Sequence, residues 1–391
     1  MSDPEYRYFD ADNHYYETRD CFTRHIDPSY RDRAIRVDED GSDRIWVGDR
    51  PFTFLENYRF DVAFRPGALR EMLKKKRSTE KSAGVVEPIQ PAYTDREARL
   101  SLMDEQGLEA CLLFPTLAVC VEHFMKDDPP QLYANLASFN RWLEEDWGFG
   151  ADGRIFGVPL LSLRDLDRAV AELDELLRRG ARVLSLRPGP AFGRSPADPY
   201  FDPVWSRIEE AGCVVAFHIG ESGYNEMMSV HFGEEPNPSS HLQSAFQWSC
   251  CYGDRPIMDT FASLIFGNLF GRFPGLRVAS VENGSLFVPY LMRVMDKMGG
   301  MGRNGPWPGG RIREKPSAIL KRHVFVSPYH EEDIVSLVQE IGVSQVLFGS
   351  DFPHPEGLAE PRHFLEEIDA LDPSDIRRIM RDNTRQLLGM A

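Results

Sequence analysis

The sequence predicts an α/β fold, a closed (β/α)8 TIM-like barrel with long insertions after strands 1 and 5. Eight short apolar runs, rich in β-branched or aromatic residues, each precede a longer helical pattern. The chain has 391 residues and 42% hydrophobic content, enough to bury one large core, so residues 1–391 read as a single domain. Eight alternations of parallel-type strands with helices close on themselves.

The predicted strands are Tyr8–Asp12, Ala110–Phe114, Phe156–Leu161, Val183–Leu186, Val214–His218, Val278–Glu282, Val324–Ser327 and Val346–Ser350. The predicted helices are Asp95–Gln106, Leu132–Trp147, Leu166–Arg179, Pro203–Ala211, Ile257–Phe270, Leu286–Met298, Glu332–Ile341 and Pro361–Ile368. A closing helix is expected over Pro373–Leu388 with Ser374 as its N-cap. Lid-like insertions fall at about 15–92 and 220–256, with a Gly/Pro-rich loop around Gly299–Gly310. All three are expected on the face where barrel enzymes place their sites. Lys74–Lys76 with Arg77 read as a solvated charge run.

Lys and Arg total 45 against 61 Asp and Glu, a formal charge of −16, which argues against a nucleic-acid or anionic-membrane footprint. Met1 to Tyr8 carry no leader pattern, and no apolar run reaches about 18 residues, so a cytoplasmic protein is expected. The six cysteines form no C-x-x-C pair and read as free thiols.

The chemistry gathers at strand ends. Strand 1 ends in Asp10-Ala11-Asp12-Asn13-His14, and alternation sends Asp12 and His14 to the same side. Strand 5 ends in His218, strand 6 in Glu282 and strand 8 in Asp351. A lone histidine in an apolar run is more often structural, and a carboxylate there is costly unless paired or bound to metal. Four strand ends with ligand types at one depth of a barrel favour a metal site. Glu17 and His330 are further metal candidates, with an ion pair or an ordinary loop role as the alternatives. His354, between two prolines, is a candidate for orienting Asp351 or substrate, and Arg187, at the end of strand 4, for binding a substrate anion. Phe232, Phe246, Trp248, Tyr252 and Trp307 are candidate walls of the site, and His123, His231 and His241 read as structural or substrate-lining.

These motifs together resemble the amidohydrolase-related metal-dependent family that contains aminocarboxymuconate semialdehyde decarboxylase. The resemblance spans essentially the whole chain and implies a TIM-like barrel, with Asp12, His14, His218 and Asp351 on the family's ligand positions. Two departures stand out: Asp12-x-His14 replaces the usual His-x-His, and Glu282 stands where many members place a proton-moving histidine. With Glu17, Glu282 and His330 added, seven ligands are on offer, and the pattern resembles the nonheme diiron monooxygenases of platensimycin and platencin biosynthesis. That resemblance implies two Fe ions, O2 and a bulky hydrophobic or CoA-linked substrate, with Glu282, Asp351 and His354 at the chemistry. The alternative is hydrolysis or nonoxidative decarboxylation at Zn or Mn. A homo-oligomer is compatible with either reading, and a non-enzymatic scaffold fits neither the desolvated carboxylates nor the histidines.

Overall fold

The structure, a computed structural model, describes residues 6–38, 40–75 and 85–390. Met1–Glu5 of the N-terminal segment, Ala391, and Lys76 and Arg77 of the predicted charge run lie outside the described residues.

Seven barrel strands are regular: Tyr8–Tyr15, Leu108–Pro115, Ile155–Gly157, Val183–Leu186, Val214–His218, Val278–Val281 and Val324–Val326. The first three pair in parallel as one sheet and the last four as another. Two junctions close the ring. A bridge between Leu160 and Ser185 joins strand 3 to strand 4, and one between Val326 and Val346 joins strand 7 to the eighth segment. The eighth segment returns to strand 1 through the Ala11 N–H on the Phe348 carbonyl at 2.8 Å and a bridge between Asn13 and Phe352. The predicted strand Val346–Ser350 is therefore present as a path but has no regular ladder. The Phe348 N–H donates instead to the Ile379 carbonyl of the C-terminal helical segment, at 3.2 Å.

Alternation sorts the strand residues. Phe9, Ala11, Leu112, Phe114, Val158, Ala216, Val281 and Leu347 fill the barrel interior, while Leu113, Leu184, Leu186, Phe217 and Phe348 belong to the layer under the helices. The helices Arg96–Glu105, Pro129–Asp146, Leu166–Arg178 and Ile334–Ile341 start at Asp95, Asp128, Asp165 and Asp333, whose side chains accept a first-turn N–H. Three expectations at the C-terminal half are corrected. Pro361–Glu367 is a 3-10 helix, tighter than the α-helix expected. The predicted cap Ser374 lies inside a helix that begins at Pro373, after Asp372. That helix also opens into a π-turn at Arg378–Asp382 before Asn383–Leu387.

Between strand 1 and the helix Arg96–Glu105 the chain builds a small antiparallel sheet of Ile35–Val37, Ile45–Val47 and Arg50–Pro51, and a pair Val62–Phe64 with Val86–Pro88. This segment is tied to the residues after strand 5 and to the loop that carries His354. The Ser240 N–H, from the segment after strand 5, donates to the Phe54 carbonyl at 2.8 Å, and the Gly67 N–H donates to the His354 carbonyl at 3.2 Å. The Gly299–Gly310 loop, in contrast, lies at the opposite end of the barrel. It packs on the turn that feeds strand 6, with Asn268 Nδ2 on the Gly309 carbonyl at 3.0 Å and the Trp307 ring on Phe266. Trp307 is thus no wall of the site. All six cysteines are free thiols, five of them buried.

Candidate metal centre

Strand 1 leaves the barrel with a register shift between Asp10 and Asn13, which brings both Asp12 and His14 to the mouth. His218 arrives from the end of strand 5. Glu282 and Asp351 sit just past strands 6 and 8, each in the left-handed region at φ 54°. Non-glycine residues rarely adopt that conformation, and it turns each carboxylate inward where a continuing strand would carry it past the mouth.

The donors converge. His14 Nε2 lies 3.2 Å from Asp12 Oδ1, 3.4 Å from Asp351 Oδ1 and 3.6 Å from Glu282 Oε2. His218 Nε2 lies 3.1 Å from Glu282 Oε2 and 3.2 Å from His14 Nε2. Two overlapping sets, Asp12–His14–His218–Glu282 and His14–Glu282–Asp351–His354, each fall within 4.8 Å. The His218 Nδ1 faces the Ile219 carbonyl at 2.8 Å, which fixes the ring and leaves Nε2 aimed at the cluster.

These residues fit a divalent cation. Asp12 Oδ1 is buried without a hydrogen-bond partner, and two histidine Nε2 atoms face each other across three carboxylates. Ligands about 2.1 Å from one ion stand about 3.0 to 3.4 Å from each other, close to the 3.1 to 3.7 Å separating these donors. The charges show the same demand. Burial opposes protonation of His218, but the Asp12 and Glu282 carboxylates outweigh it and lift the imidazole to about 10. Burial likewise works against ionisation of Glu282, but hydrogen bonding to His14 and His218 holds its carboxyl well below the usual range. Asp351 goes the other way: burial, then the Glu282, Glu356 and Asp12 carboxylates, push it well up. Burial, reinforced by His14, pushes His354 well down.

The other predicted residues divide. His354 joins the second set, with Nδ1 2.7 Å from Asp351 Oδ1 and Nε2 2.9 Å from Thr116 Oγ1. Glu17 is buried but stands outside both sets: Oε1 accepts the Leu117 and Ala118 N–H groups at 2.8 and 2.9 Å, and Oε2 accepts the Tyr58 hydroxyl at 3.0 Å. His330 is half-buried, faces Glu331 at 3.3 Å and stands outside both sets. Arg187 is turned into the protein, donating to the Ser222 carbonyl and, at 3.1 Å, to the Pro190 carbonyl, so it ties two loops together. His123 pairs with Glu226 at 2.9 Å. Sequence reasoning missed Asp10, Asn13 and Arg99, which support strand 1 from behind. Their only signal was polarity beside the Asp12-x-His14 pair or within an amphipathic helix.

A family model described as amidohydrolase matches residues 88–390. An amidohydrolase structure from Mycobacterium avium subsp. paratuberculosis K-10 is 39% identical, with a TM-score of 0.87, covering 99% of this chain and 100% of that one. The 5-carboxyvanillate decarboxylase of Novosphingobium aromaticivorans DSM 12444, complexed with manganese and 4-hydroxy-3-methoxy-5-nitrobenzoic acid, shares the fold at TM-score 0.60 and 14% identity, over 100% of this chain and 98% of its own. The 2-amino-3-carboxymuconate-6-semialdehyde decarboxylase of Dictyostelium discoideum is 22% identical over 241 residues, 61% of this chain and 62% of that one, so the chain spans under two thirds of this relative. The closed parallel barrel, the donors at its mouth and the match over residues 88–390 agree: the chain belongs to the amidohydrolase family.

Proposed function

We propose that this chain is a metal-dependent decarboxylase of the amidohydrolase family, acting without O2 on a small carboxylated, aromatic or enolic substrate, with Mn or Zn as its ion. The observation that carries the reading is the convergence of two histidines and three carboxylates at the mouth of the barrel. The decarboxylases among its relatives, one of them with manganese bound, support this over an oxidative role.

Asp12, His14, His218 and Glu282, the donor set in which two histidine Nε2 atoms face each other, would hold the ion. Such an ion supplies Lewis-acid polarisation of substrate oxygens. Loss of CO2 breaks a carbon–carbon bond and leaves its electron pair on the substrate carbon, which must then take a proton. Asp351 is built to hold that proton at Oδ, because burial and neighbouring carboxylates favour its neutral form. His354 fixes the orientation of Asp351 through the 2.7 Å contact and is itself fixed by Thr116. Tyr16 and Tyr58 of the segment after strand 1 sit over His354 and Glu17 and help keep water from the site. Protein loaded with Mn(II) is expected to release CO2 from a panel of hydroxylated aromatic carboxylates. Asp351→Asn should lower kcat by about 10²-fold or more while the ion stays bound. Turnover of esters or lactones with no CO2 released would move the assignment to hydrolysis.

A second reading, hydroxylation of a bulky hydrophobic or CoA-linked substrate by two Fe ions and O2, has one observation in its favour. The two donor sets share only His14 and Glu282, so six side chains together face the mouth. Glu17 and His330, the extra ligands that reading counted on, stand outside both donor sets. Reduced, iron-loaded protein incorporating one atom of ¹⁸O2 would establish it, and undiminished anaerobic turnover excludes it.

A further inference from the structure

Arg99 lies on the helix Arg96–Glu105 with none of its surface exposed. It makes no ion pair among the described residues. Burial lowers its guanidinium to about 10, which still leaves it charged at neutral pH. A buried, unpaired cation is expensive to keep, so its contacts call for a reason. Three N–H groups reach three separate acceptors: Nε to the Ala92 carbonyl, Nη1 to Asn13 Oδ1 and Nη2 to the His14 carbonyl, each at 2.6 Å. The guanidinium carbon lies 5.9 Å from the centre of the Tyr93 ring and 5.6 Å from that of Phe352, the residue after Asp351.

The contacts continue inward. Asn13 Nδ2 donates to Asp10 Oδ2 at 3.0 Å. Asp10 in turn accepts the Asp12 N–H at 3.1 Å, the Ser350 N–H at 3.0 Å and the Ser350 hydroxyl at 2.5 Å. One guanidinium therefore reaches the backbone of His14 directly, that of Asp12 through two side chains, and the strand end that presents Asp351 through Ser350 and Phe352. Only a planar fork with donors in three directions can do this, and the single ammonium of lysine cannot.

We infer that Arg99 is a positioning residue, which sets the ends of strands 1 and 8 at the spacing the metal centre needs. The inference rests on the metal-centre reading above. The test measures Mn(II) binding by equilibrium dialysis and records the electron paramagnetic resonance spectrum of the bound ion. Arg99→Lys should keep the far-UV circular dichroism of the wild type but bind Mn(II) about tenfold to hundredfold more weakly, with an altered spectrum. Asn13→Ala should shift affinity in the same direction, and the double variant should lose less than the two losses combined, as members of one network do. Asp165→Ala, which removes a distant helix cap, should leave affinity unchanged even as it lowers stability. Wild-type affinity and spectrum in Arg99→Lys overturn the inference. If that variant does not fold, wild-type affinity in Asn13→Ala overturns it instead. A wild-type protein that takes up no Mn, Zn or Fe overturns the metal-centre reading itself, and the role of Arg99 with it.

Discussion

Glu282 and Asp351 carry their carboxylates on backbone that disfavours any residue with a Cβ. The left-handed conformation costs about 1 to 2 kcal/mol at each, and the return is aim, since both side chains enter the cluster. Stability and metal binding should therefore separate here. Glu282→Gly is expected to exceed the melting temperature of Glu282→Ala by an amount worth about 1 kcal/mol, with Mn(II) binding lost in both. Calorimetry beside metal analysis checks it, and equal melting temperatures would mean that the strain is absent. His123 gives a prediction in pH. Burial first, then the nearby Arg187 and Lys126 charges, depress it from 6.5 to about 4 against the pull of Glu226. The unfolded chain then binds this proton at a higher pH than the native one, so stability rises with pH between about 4 and 6.5 and is lost as pH falls through that window. His123→Gln should flatten that part of the profile of melting temperature against pH, and an unaltered slope would contradict the assignment.

Among the elements, the seam between strand 1 and the eighth segment matters most, because it closes the ring without a regular ladder, through the Ala11, His14 and Asp351 N–H groups on the Phe348, Phe352 and Asp12 carbonyls. Asp10 compensates, taking four hydrogen bonds inside the barrel wall from Asp12, Asn13 and Ser350. Asp10→Ala leaves those donors buried without an acceptor, a loss of about 3 to 5 kcal/mol. Urea unfolding measures it. A loss below about 1 kcal/mol, the size of an ordinary exposed helix cap, would show that the backbone contacts alone hold the seam.

At the scale of the molecule, the segment after strand 1 is hydrogen-bonded to the segment after strand 5 and to the loop that carries His354, which makes them one connected unit. Glu17 anchors it to the loop after strand 2 through Leu117, Ala118 and Tyr58. Glu17→Ala should speed proteolytic cutting within residues 16–75 several-fold while the barrel helices keep their circular dichroism. Unchanged cutting would make Glu17 a local fixture only. No helix among the described residues is long and apolar enough to cross a membrane.

The sequence by itself determined the βα alternation, and with it the strand ends that bring Asp12, His14, His218, Glu282 and Asp351 together. Those follow from local periodicity, because a parallel barrel puts every strand's C-terminal end on one rim. The tertiary structure decided what periodicity does not encode. It turned Glu17 toward backbone amides and His330 toward Glu331, so neither falls within the two donor sets. It also sent the Gly299–Gly310 stretch, whose first three residues end the helix Phe287–Met301, to the far end, because that helix carries the chain back along the barrel wall. And it buried Arg99 behind His14, a contact between residues 85 positions apart that no local pattern could announce. Hydrogen-bond partners of polar side chains are chosen by whichever groups packing brings within 3 Å or so, and that choice exists only once the chain has folded.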